Sequence, residues 1–164
     1  MRSLLTLIVV LGIAVVAGQP AMGHCQIPCG IYDDLLRVRM WEEHVTTIER
    51  SLKGLNDHLG KTGAADVNQQ VRWVMNKEVH ADLIAEIVTE YFLQQRIKAP
   101  KAGDDEARKV YMERLETLHG MLVSSMKAKQ SVDPSHATRL RELIDKFKKQ
   151  YFSPEDLAHL GHEH

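Results

Sequence analysis

Both cysteines of the chain fall in one short segment, His24-Cys25-Gln26-Ile27-Pro28-Cys29-Gly30-Ile31-Tyr32. Two chemistries are open to them. Paired cysteines in an exported chain most often form a disulfide, and the Cys-x-x-x-Cys spacing taken alone favours one. Their position favours the other. If the chain is cut after Gly23, His24 carries a free amine and Cys25 becomes the second residue. The His24 amine and the Cys25 amide nitrogen then close one chelate ring on a metal, and that nitrogen and the Cys25 thiolate close a second. Pro28 removes an amide hydrogen and bends the chain, and Gly30 relaxes the backbone just beyond. The Cys29 sulfur can then return to the remaining corner of the plane, with the His24 imidazole above it. A square plane of nitrogen and sulfur donors suits nickel(II) or copper(II), whereas zinc prefers a tetrahedron. Thiolates must lose their protons to bind, so occupancy should fall in acid.

The residues ahead of the segment read as an export signal. Arg2 supplies the positive start, and Leu4 to Val16 is an apolar run shorter than the ~20 residues a spanning helix needs. Gly18, Gln19 and Pro20 break it, and Ala21-Met22-Gly23 resembles a cleavage site. His24 stands where a lipoprotein needs a small residue, and there is no Arg-Arg pair for a twin-arginine signal. The expectation is a signal peptide over 1–23, removed, with no stable membrane anchor and a periplasmic or extracellular destination.

Something must position so short a segment. The chain has 164 residues, with 26% charged, a formal net charge of −1 and only 5% aromatic. That length can bury a core, and the charge balance gives no field for nucleic acid. No Gly-rich phosphate loop and no Ser-His-Asp pattern is present. Val38, Trp41, Val45, Ile48, Leu52, Leu55 and Leu59 recur at helical spacing and predict a first helix over Asp33–Leu59. A second is predicted from Ala64 to Lys98, with Val67, Val71, Val74, Ala81, Ile84, Val88 and Tyr91 on its core face and Pro100 and Gly103 closing it. A third is predicted over Asp104–Lys129 (Tyr111, Leu115, Leu118, Leu122), with Gly120 inside it open to close packing. The fourth is capped by Asp133 and Pro134 and carries Ala137, Leu140, Ile144, Phe147 and Tyr151. Ser153-Pro154 starts a last short turn. Trp41 and Trp73 read as core anchors. The predicted fold is all-α, an antiparallel up-and-down four-helix bundle over 33–152, with the metal hook at 24–32 and a His-rich tail at 153–164.

The hook, read as His-Cys-x-x-Pro-Cys-Gly-x-Tyr at a processed N-terminus, resembles that of nickel-containing superoxide dismutase. The run from Trp73 to Phe92 is similar to that family's second helix. The resemblance implies disproportionation of two superoxide anions to oxygen and hydrogen peroxide, with one nickel ion per subunit alternating between +2 and +3. It implies His24, Cys25 and Cys29 as the metal ligands. It places Tyr32 beside the open face, where its hydroxyl orders water or the incoming anion, and it implies a homohexamer that buttresses each hook.

One departure stands out. In the family a Glu on the first helix steadies the axial imidazole and pairs with an Arg on the second. Here Arg39 falls near the Glu position, with Glu42 and Glu43 a turn further on, and His80 falls near the Arg position. The partner of the His24 ring is left open. His44, His58 and His119 fall at no ligand-like spacing, and His159, His162 and His164 read as a polar tail. An exported, non-enzymatic bundle that binds nickel or copper through the same atoms is the alternative.

Overall fold

The computed structural model describes residues 32–160. The predicted signal peptide, the hook residues His24, Cys25 and Cys29, and tail residues His162 and His164 lie outside the described residues. Within them the chain is all-helical, with no strand.

Helix α1 spans Asp34–Asp57. Asp33 caps it, its Oδ1 accepting the Leu36 amide at 2.8 Å, which satisfies one of the donors a helix start leaves open. The predicted seam is buried from Val38 to Leu55. Leu59 lies past the helix end and is 61% exposed, because the chain turns away at Gly60, whose φ of 77° is the left-handed conformation that ends helices.

Helix α2 covers Ala64–Glu86 and runs on as a π-helix over Ile87–Arg96, where one regular helix was expected. Its core face differs from the predicted one. Val67, Val71 and Val74 are exposed, at 45%, 52% and 41%, while Lys77, Ala81, Ile84 and Val88 are buried. At ~100° per residue the valines sit roughly 80° round the helix from that buried face. Lys77 accounts for the rotation. Its ammonium donates to the carbonyl oxygens of Ala128 (2.6 Å), Lys129 and Ser131 (3.3 Å), so a cation on α2 satisfies the terminal carbonyls of the next helix. Trp73 is half-buried rather than a core anchor; its indole lies flat on Gly54 of α1.

Helix α3 spans Asp105–Gln130, capped by the Asp104 carboxylate on the Ala107 amide at 3.0 Å. Its buried face is Thr117, Leu118, Met121, Ser124, Ser125 and Ala128. Only Leu118 of the predicted stripe belongs to it, since small residues line this side where α2 packs. Helix α4 spans Ser135–Tyr151. Pro134 holds helical dihedrals (φ −66°, ψ −16°), and the Asp133 carboxylate accepts the Ser135 amide at 2.8 Å. Ala137, Leu140, Leu143, Ile144 and Phe147 are buried along it. Helix α5, Pro154–Leu160, opens on a reciprocal cap between Ser153 and Asp156.

Neighbours in sequence pack together, α1 on α2, α2 on α3 and α3 on α4, and α4 returns to α1. Gly120 on α3 faces the Leu143 side chain of α4. One end of the core is aromatic. Trp41 packs on Phe92 with centroids 4.6 Å apart, Phe92 meets Phe147 edge-on at 4.9 Å, and Phe147 stacks on Tyr151 at 5.1 Å. Such pairs contribute roughly 0.5–1.5 kcal/mol each beyond their buried area, and they make this end a firm floor for the side chains that stand on it.

Candidate metal centre and its tyrosine cluster

Tyr32 is the hook residue within the described structure. It lies two residues before α1 and is half-buried. Its ring meets Tyr91 edge-to-face, with centroids 5.9 Å apart and planes at 73°. The Arg96 guanidinium lies 4.4 Å from the centre of the same ring, inside the range of a cation–π contact. The last hook residue is thus seated on two residues of the π-helix.

Beneath them, Asp34 gathers donors from two other helices. Arg96 Nε reaches Oδ1 at 2.9 Å and Oδ2 at 3.1 Å, and Nη2 reaches Oδ2 at 2.6 Å. The Tyr91 hydroxyl donates to Oδ1 at 2.5 Å, and the Tyr151 hydroxyl to Oδ2 at 2.8 Å. Burial pushes the Asp34 carboxyl up, but hydrogen bonds from Arg96, Tyr91 and Tyr151 together outweigh it and hold the group below its usual 3.8. Burial and the Asp34 bond raise the Tyr91 phenol well above its ordinary range and push Tyr151 up to about 12. Both are neutral phenols at any physiological pH, with their protons committed to Asp34.

The π-helix makes this convergence possible. In an α-helix, residues five apart point about 140° away from each other at ~100° per turn step. The wider winding, seen in the Ile97 amide bond to the Phe92 carbonyl at 2.8 Å, brings Tyr91 and Arg96 to one side, where both reach Asp34. Such segments recur at functional sites. Arg37 of α1 completes the wall, its guanidinium 5.0 Å from the Tyr91 ring centre. Its Nε is buried with no hydrogen-bond partner among the described residues.

In the sequence Asp34 is an acid at a helix start, and Tyr91 and Tyr151 belong to apolar stripes. A signal was present: a phenol on an apolar stripe needs a buried partner for its hydroxyl. Arg96 carried no such signal, because its direction depends on the winding.

Of the positions weighed behind the His24 ring, Glu42 and His80 have partners among the described residues. Glu42 accepts from Lys148 of α4 at 2.7 Å. His80 meets His44 across α1 and α2, with the two Nδ1 atoms 3.0 Å apart. His44 Nε2 is buried with no hydrogen-bond partner among the described residues. A bare acceptor there costs less than an orphaned donor, which favours the tautomer in which His44 donates through Nδ1. Arg39 is half-buried on the same helix. Among the described residues no three His, Cys, Asp or Glu side chains converge on a metal position, and no described helix is long and apolar enough to cross a membrane.

The only cysteine sulfurs in the chain are those of the hook. With a free His24 amine, the amine, amide nitrogen, imidazole and two thiolates would form a donor set that suits nickel. A family model for nickel-containing superoxide dismutase matches residues 19–154. Searches of curated proteins and of solved structures returned no match. With that family match over most of its length, the chain belongs to the nickel-containing superoxide dismutases, oxidoreductases that use nickel to disproportionate superoxide.

Proposed function

We propose that nickel, one ion per subunit, is held by His24, Cys25 and Cys29, through the amine and imidazole of His24, the Cys25 amide nitrogen and both thiolates. The observation that carries this reading is the reach of the family match, which begins at residue 19 and takes in the whole segment from His24 to Tyr32. Bound there, nickel supplies a one-electron couple suited to both halves of the reaction, oxidation of one superoxide and reduction of another. The chain supplies the surroundings. Tyr32, seated against Tyr91 and Arg96, orders water or the incoming anion beside the metal. The neutral phenol of Tyr91 donates its proton to Asp34, so its oxygen meets neighbours as an acceptor.

The rest of the reading follows from what the hook requires. Residues 1–23 are a signal peptide, and their removal frees the His24 amine, so the mature protein is periplasmic or extracellular. The helices form an antiparallel four-helix bundle, supported by α1 packing on both α2 and α4. A hook this short gains rigidity from neighbouring subunits of a homohexamer.

Cys25→Ser and Cys29→Ser test the ligand assignment. Each should abolish nickel binding and dismutase activity while leaving the helical circular-dichroism spectrum unchanged. Full nickel content in either variant would refute it.

A further inference from the structure

We infer that Arg96 is a positioning residue for Tyr32, and that Asp34 acts through it. This rests on the reading of Tyr32 as a residue of the reaction site.

A guanidinium is a flat fork, with hydrogen-bond donors around its edge and two open faces. Asp34 takes the edge: Nε and Nη2 both bond its carboxylate, at 2.6 to 3.1 Å. That fixes the plane of the group, whose central carbon lies over the Tyr32 ring, 4.4 Å from its centre. Asp34 is itself anchored by Tyr91 and Tyr151, and Tyr151 stands on the aromatic floor through Phe147. The chain of contacts runs from α4 through Tyr151, Asp34 and Arg96 to the last hook residue. Tyr91 meets the other side of the arrangement, packing on Tyr32 while bonding Asp34. A lysine at position 96 could carry the charge to Asp34 but has no face to offer the ring. Charge alone is therefore not the requirement, since Asp34 already neutralises it; the plane is.

The test compares Arg96→Lys with Asp34→Asn in the full mature chain, kept reduced and carrying isotope-labelled tyrosine. Tyr32→Phe assigns the Tyr32 ring signal by nuclear magnetic resonance. Arg96→Lys should displace and broaden that signal and lower dismutase turnover by up to about 100-fold at unchanged nickel content, the size a misplaced site group can cost. Asp34→Asn keeps the size of the side chain, releases the guanidinium, and should move the Tyr32 signal too; it also stands in should Arg96→Lys fail to fold. An unmoved Tyr32 signal in whichever variants fold overturns the inference. So does full turnover in a variant whose signal has moved. A wild-type chain that binds nickel and has no dismutase activity would instead overturn the reading of the site, and the resonance arm would still report whether Arg96 holds the ring.

Discussion

Asp34 and Arg96, 62 positions apart in sequence, form a two-pronged ion pair, with Nη2 to Oδ2 at 2.6 Å and Nε to Oδ1 at 2.9 Å. The pair ties the start of α1 to the end of the π-helix, directly beneath Tyr32. Its side chains are 15% and 30% exposed, so solvent screens it little. Asp34→Ala would leave the guanidinium and two phenols without their shared acceptor. We expect a loss of about 2–4 kcal/mol, read from denaturant midpoints at pH 7. The Asp34 carboxyl is held below 3.8 in the folded chain. Its contribution is therefore complete above that value and is lost as pH falls through the folded pKa. In the variant, stability should lose this acid limb below about pH 4.

The paired histidines give a second, separate pH dependence. Burial lowers the pKa of His44 below 6.5, and the neighbouring His80 lowers it further, against a smaller opposing pull from Glu43. Above pH 6.5 this residue is neutral folded or unfolded, and stability does not depend on it. Below 6.5 the unfolded chain takes up a proton that the folded chain resists, so stability falls as pH drops toward the lowered value. His44→Leu should flatten that slope below about pH 6.5, where a series of urea midpoints would read it. An unchanged slope would mean that another group carries it.

Two glycines inside helices should respond oppositely to alanine. A methyl at Gly54 would meet the Trp73 indole at 2.5 Å, a rigid ring that must shift as a whole. Gly54→Ala should destabilise by about 1–3 kcal/mol and perturb the Trp73 fluorescence. At Gly120 the nearest atoms are the Leu143 methyls at 3.3 Å, the ends of a side chain that can shift. There the helix preference of alanine, about 1 kcal/mol over glycine, should leave stability equal or improved. Melting temperatures of the two variants provide the comparison.

These positions show how far the sequence could be read. The seam from Val38 to Leu55 is legible because apolar period and burial coincide on α1. The helix starts at Asp33 and Asp104 are legible because capping is local chemistry. On α2 the same reasoning fails at Val67, Val71 and Val74. The buried face there includes Lys77, whose charge disguised it and whose partners lie on α3. The proposed metal-binding segment is legible because its donors are adjacent in sequence. Its footing is not, because Asp34, Tyr91, Arg96 and Tyr151 meet only after a π-helix turns Arg96 toward α1. The His44–His80 contact is hidden for a related reason, since the two residues are brought together by packing rather than by spacing along one helix.

We propose that the chain becomes a nickel enzyme when His24 becomes its first residue. Intact-mass measurement on purified, active protein tests this most directly, alongside metal analysis of the same sample. A chain beginning at His24, with one nickel bound per chain, is the expected result. Active, nickel-loaded protein that still carries Gly23 would contradict it, because the His24 amine would then be an amide and unable to bind.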